Sequence, residues 1–183
     1  MAAETGELIM NPNIADEMAE ASEAVEVIKE AGKYVTFRTG DEYFGLKIKY
    51  VNEIIMMQEI TYLPETEEYI KGLINLRGKI VPVIDVRLRF KQDPVEYNDR
   101  TCIIVINVES TVVGLIVEQI AEVVELEPDD IIPSPSLGNA ETLQSKYVYA
   151  LGKVGEAVKL LLDAEKLIRD AEVPVAGIST DEE

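Results

Sequence analysis

The chain has 183 residues, no histidine, no tryptophan and one cysteine, and its 35 acidic against 17 basic side chains give a net charge of −18. That balance argues against nucleic acid and anionic membrane surfaces as partners, since both are bound by clustered lysine and arginine. Without histidine the usual general base, the Ser/His and Cys/His nucleophilic pairs and imidazole metal ligation are all missing, so no catalytic residue, cofactor or metal is expected.

Residues 1–32 read as an acidic extension. Ile14, Met18, Ala21, Val25 and Ile28 recur at alternating spacings of four and three, the stripe of an amphipathic helix, and Asn11 or Asn13 can cap its start and Gly32 its end. The stripe fits packing on the domain's own surface or binding a partner. The first ten residues, MAAETGELIM, lack the basic and apolar regions of a secretory signal, and no apolar stretch approaches the roughly 18 residues of a membrane span. A cytoplasmic protein is expected.

From Lys33 the pattern changes to short alternating runs. YVTFR and EYFGLKI flank the turn sequence Thr39-Gly40-Asp41, a hairpin, and TCIIVINV with TVVGLIVE repeats the plan around Glu109-Ser110. Cys102, which opens the second hairpin, has no disulfide partner in the chain and reads as a half-buried inert thiol. The two hairpins align at a fixed offset of 69, which pairs Val35 with Ile104, Gly45 with Gly114 and Glu53 with Glu122. A second block aligns at an offset of 78, pairing Tyr69 with Tyr147, Val83-Ile84 with Leu161-Leu162, and Asp85 with Asp163. Asp85 and Asp163 are then expected as N-caps of short helices.

The duplication predicts two similar all-β lobes, roughly 33–95 and 96–170, interleaved or in tandem, followed by an acidic tail over 171–183. Lobes of about 60–70 residues bury too little apolar surface alone, so they should pack on each other, each as a closed or nearly closed barrel without free edges. Within YIKGLINLRGKIVPVIDVRLRF, residues 69–90, Pro82 lacks a backbone donor and is expected at an edge strand or bulge. Arg77, beside Gly78, must reach solvent or pair with a carboxylate.

These motifs resemble the CheW family, the coupling proteins of prokaryotic chemotaxis, across residues 33–170. The resemblance rests on YVTFRTGDEYFGLKI, the V-x-E-I unit at Val51–Ile54, IKGLINLRGKIVPVIDVRLRF, YNDRTCIIVINV, VVGLIVEQIAEVVEL and LLLDAEKLI. It implies two SH3-like β-barrel subdomains and an adaptor without catalytic activity. Such an adaptor joins the cytoplasmic tips of chemoreceptors to the regulatory domain of the histidine kinase CheA, in the cytoplasm at membrane-associated receptor arrays and without direct membrane binding. It further implies that Arg77 pairs with Glu53 in a receptor-binding region between the lobes. Val51 and Gly72 line the same groove on that reading; core packing and a turn are their structural alternatives. The kinase contact is assigned to no residue. A coupling module of another receptor–kinase pathway, such as twitching or developmental signalling, fits the same residues.

Overall fold

The structure is a computed structural model that describes residues 32–133 and 146–173; the expected N-terminal helix and all of the tail beyond residue 173 lie outside the described residues. Eleven strands dominate these residues: β1 Gly32–Thr39, β2 Glu42–Lys47, β3 Val51–Met56, β4 Ile70–Leu76, β5 Lys79–Asp85, β6 Cys102–Val108, β7 Thr111–Val117, β8 Gln119–Leu126, β9 Ile131–Pro133, β10 Val148–Val154 and β11 Ala157–Leu162. Two short helices follow β5 and β11, α1 over Val86–Arg89 and α2 over Ala164–Asp170. Asp85 and Asp163 cap them, accepting from the backbone N–H groups of Leu88 and Lys166.

The strands form a six-stranded sheet, β8-β1-β2-β11-β10-β9, and a five-stranded sheet, β3-β6-β7-β5-β4. The division near residue 95 separates the repeats along the sequence, but not the sheets in space. Hairpin β1–β2 joins the strands of the second half through a parallel pairing with β11, Leu161 opposite Gly45. Hairpin β6–β7 joins the first half in the repeat-equivalent way, Val83 opposite Gly114. Each half therefore lends its first hairpin to the other half's sheet.

This exchange explains the continuous apolar run of β6, whose two faces are both buried. Ile103 and Val105 face a core inside the five-stranded sheet with Ile74, Val81 and Val83. Ile104 and Ile106 face a larger core shared by both sheets, with Phe37, Phe44, Leu115 and Leu162. A third core, around Tyr34, Val124, Leu126 and Leu161, lies within the six-stranded sheet. Aromatic rings cross the shared core in sequence, Phe37 to Phe44 at 5.7 Å, Phe44 to Phe90 at 5.4 Å and Phe90 to Tyr147 at 6.4 Å between centroids.

Arg89 of α1 is buried beside this ladder. Its guanidinium lies 4.6 Å from the Tyr69 ring centroid and 5.0 Å from that of Tyr147, and it donates to the Tyr147 hydroxyl. Tyr69 and Tyr147 are repeat equivalents, so one cation is held between matching tyrosines of the two halves.

Both sheets are bridged from edge to edge. After β3 the chain crosses to the far side, where Thr61 and Leu73 of β4 exchange backbone hydrogen bonds of 2.8 and 2.9 Å. After β8 the chain crosses likewise and forms β9 against β10. The Thr61 bridge also corrects the expected position of Pro82. β5 is an interior strand rather than an edge, but Leu73, opposite Pro82, directs both its backbone groups to Thr61. Pro82 thus occupies a pair that needs no β4 hydrogen bond, and the pairing with β7 starts only at Val83.

Candidate functional site

The turn between β4 and β5 consists of Arg77 and Gly78, with φ of +51° and +84°. Two positive φ angles mark a type I′ hairpin turn, whose twist suits the flanking strands and whose first position usually holds asparagine, aspartate or glycine. Asn75 steadies the turn by accepting a 2.8 Å hydrogen bond from the Gly78 N–H. The sequence reading missed Asn75; a side-chain amide three residues ahead of a glycine was the available signal.

From this turn the Arg77 guanidinium reaches across the open edge of the sheet to Glu53 of β3. Nη1 donates to Oε1 at 2.8 Å and Nη2 to Oε2 at 2.5 Å, a two-pronged pairing in which planar donor and acceptor match. The Arg77 side chain is 73 % exposed and that of Glu53 27 %, so the pair stands at the protein surface. The hydrogen bonds from Arg77 hold the Glu53 carboxyl below its ordinary range, and Glu53 in turn raises the Arg77 guanidinium. At neutral pH the pair is a fixed, solvent-facing dipole.

Val51 opens β3 two residues before Glu53, next to a register shift in the β3–β6 pairing. It is half-buried and packs on the shared core. Gly72 sits on β4 with φ +140°, and a Cβ there would lie 2.1 Å from the Thr61 carbonyl oxygen. The close approach that requires glycine is therefore made by the chain's own edge-bridging segment. The structure thus brings Arg77 and Glu53 into contact, places Val51 on the same strand as Glu53, and gives Gly72 a role in closing the sheet beside them.

The same sheet exposes large apolar side chains that sequence reading passed over. Ile54 and Met56 lie on the outward face of β3, with Met56 69 % exposed, and Tyr62, just past the Thr61 bridge, is 75 % exposed. The alternation VNEIIM carried the signal, but only the exposure of Ile54 and Met56 in the folded chain shows that this face is left open. Among the described residues no group of three or more His, Cys, Asp or Glu side chains is placed to hold a metal ion, and no helix is long and apolar enough to cross a membrane.

A family profile described as "CheW-like domain" matches residues 33–172. The chain is 38 % identical over 141 residues to the chemotaxis protein CheW of Klebsiella aerogenes, covering 77 % of this chain and 84 % of that one. It is also 27 % identical over 139 residues to protein FrzA of Myxococcus xanthus, covering 76 % and 86 %. Among solved structures, the scaffolding protein TtCheW of Thermoanaerobacter tengcongensis superposes with a TM-score of 0.69 at 32 % identity, over 75 % of this chain and 92 % of that chain.

Proposed function

This chain belongs to the CheW family of scaffold proteins of chemotaxis-type pathways, and from that premise we propose that it is a non-catalytic adaptor coupling methyl-accepting chemoreceptors to the histidine kinase CheA. On this reading each sheet forms one SH3-like barrel lobe, and the protein works in the cytoplasm, recruited to membrane-associated receptor arrays. The observation that carries the receptor assignment is the Arg77–Glu53 pair. A charged side chain in a left-handed turn position, joined to a carboxylate of another strand at the surface, is a costly arrangement for a hairpin to adopt for stability alone.

The groove works by helix recognition. On this reading the half-buried Val51 gives the receptor helix an apolar contact beside Glu53, and the fixed Arg77–Glu53 dipole sets its direction. Ile54 and Met56 add apolar surface on the outward face of β3. Gly72 contributes by letting Thr61 close the wall behind the groove. Each contact is modest, and many copies in an array multiply it through effective concentration. The kinase regulatory domain binds elsewhere on the barrels, at residues we do not assign.

Full-length protein mixed with a receptor tip fragment and the kinase tests this directly. A ternary complex in a pull-down and receptor-dependent kinase activity are expected, and Arg77→Glu should weaken receptor association in a protein that remains folded. Kinase activity indifferent to the adaptor would sink the proposal. The similarity to FrzA leaves, as a second reading, a coupling module of another receptor–kinase pathway. The partner recovered in the pull-down separates the two.

A further inference from the structure

Four two-residue turns close the hairpins of the two sheets, and each requires positive φ at its first position. In the six-stranded sheet those positions are Gly40 and Gly155, with φ of +65° and +60°. In the five-stranded sheet they are Glu109 and Arg77, with φ of +47° and +51°. The repeat pairs Gly40 with Glu109 and Arg77 with Gly155. The turns differ in kind. Asp41 and Glu156 do not share the positive φ, so each turn of the six-stranded sheet has one left-handed residue, a glycine, while each turn of the five-stranded sheet has two and carries a long charged side chain at the first.

The strain at Glu109 is the greater anomaly of the two. Ser110 after it is also left-handed, at φ +71°, where a type I′ turn normally carries glycine. Arg77 has Glu53 as a partner, but among the described residues no hydrogen bond or ion pair holds the Glu109 carboxylate. Both residues of the turn are exposed. Nothing within the described fold accounts for a glutamate at this position.

Its location supplies an account. β5 and β7 run parallel with Val83 opposite Gly114, so the turns that lead into them, at 77–78 and 109–110, emerge at the same end of the sheet. Val51 and Glu53 are at that end too, because β3 pairs antiparallel with β6 and places Val51 opposite Ile106, near the close of β6. One end of the five-stranded sheet therefore presents the Arg77–Glu53 pair and, on a separate turn, an unpaired carboxylate.

We propose that Glu109 is a second charged contact of the docking surface, which takes a lysine or arginine of the receptor helix bound by Arg77, Glu53 and β3. The inference rests on the receptor-binding reading of that surface. A cation is the complementary group for Glu109, since the Arg77–Glu53 pair is internally neutralised. Among the described residues the exposed Lys79 at the start of β5 is a free positive charge at the same end of the sheet, available to an acidic side chain of the same helix. Two polar anchors on different turns fix the direction of the helix as well as its position.

The test compares the full-length protein with Glu109→Gly, Glu109→Lys and Arg77→Glu, each titrated with a soluble chemoreceptor-tip fragment at low and high salt, with thermal unfolding measured in parallel. Glu109→Gly removes the strain, so its unfolding midpoint should equal or exceed that of the parent, while its affinity falls about 3- to 5-fold at low salt, a difference that shrinks at high salt. Glu109→Lys should bind more weakly still. If the parent binds and Arg77→Glu weakens it while both Glu109 variants bind like the parent, the turn is structural and this inference alone is overturned. If the parent does not bind the fragment, the receptor-binding reading falls and takes the inference with it.

Discussion

Glu53 and Glu122 stand at the same point of the repeat, each on the strand that follows a borrowed or lent hairpin, and the molecule uses them differently. Glu53 is locked by Arg77 at the end of the five-stranded sheet. Glu122 is exposed and in no ion pair among the described residues; its backbone N–H and carbonyl, not its carboxylate, bond to Thr36 Oγ1. Gly155 occupies the position that would supply its arginine. The six-stranded sheet shows what the architecture needs at these points, and the five-stranded sheet shows what has been added. Arg77 and Glu109, long charged side chains held at a cost in backbone strain in turns with two left-handed residues, are candidates for binding rather than for folding.

The comparison can be broken at several points. The largest effect is expected at Gly72, whose equivalent in the other sheet is the buried Ala150. The second sheet accommodates a Cβ at this position, but in the first it would meet Thr61 at 2.1 Å. Gly72→Ala should destabilise by about 3–5 kcal/mol in chemical denaturation, through forced opening of the Thr61 bridge. A loss below about 1 kcal/mol would show that the bridge yields easily and that the two sheets close alike.

Arg89 comes next, because it joins the copies instead of distinguishing them. Its repeat equivalent is the buried Leu167, so Arg89→Leu keeps an apolar residue of the kind the other helix carries. Loss of the cation between Tyr69 and Tyr147, and of the donor to the Tyr147 hydroxyl, should cost about 2 kcal/mol of stability. Unchanged or increased stability would mean that simple apolar packing serves equally well there.

The smallest effect is the pH response. Glu53 has its carboxyl lowered by Arg77, and Asp170 is lowered likewise by Lys146, 2.7 Å away. A lowered folded value means that each pair's contribution is complete above the ordinary carboxylate range and is lost as pH falls through the folded value. The chain has no histidine, so stability and receptor binding should be flat from about pH 5.5 to 8 and decline only in acid. A transition near neutrality in the adaptor's own unfolding would contradict this.

Much of the fold was legible because it is local or repeated. Alternation marked the hairpins, the offsets of 69 and 78 paired the copies, and aspartates at the ends of apolar runs marked both helix caps. The hairpin exchange was not legible, because alternation shows that a strand has a buried face and not which strand lies beside it. The expectation of Pro82 at an edge strand or bulge fails in its edge half for a related reason: its tolerance depends on where Leu73 sends its hydrogen bonds, and so on Thr61, in a segment with no strand pattern of its own. Arg89 reads from the sequence as the surface cation of a short helix, and only the tertiary approach of Tyr69 and Tyr147 buries it. Of the site, the Arg77–Glu53 pairing came from family resemblance, and the contacts seen here are a bidentate version of it. The open face of β3 and the strained Glu109 turn depend on tertiary packing and backbone angles that alternation does not encode.

On the proposed reading, Arg77 serves recognition and not the lobe that carries it. Arg77→Gly transplants the residue of the other copy into this turn and is the most direct test. Thermal unfolding and binding to a receptor-tip fragment should be measured on the same preparation. An unfolding midpoint equal to or above that of the parent, with affinity reduced about tenfold or more, is the predicted result. A destabilised protein, or one that binds the fragment as well as the parent does, would contradict it.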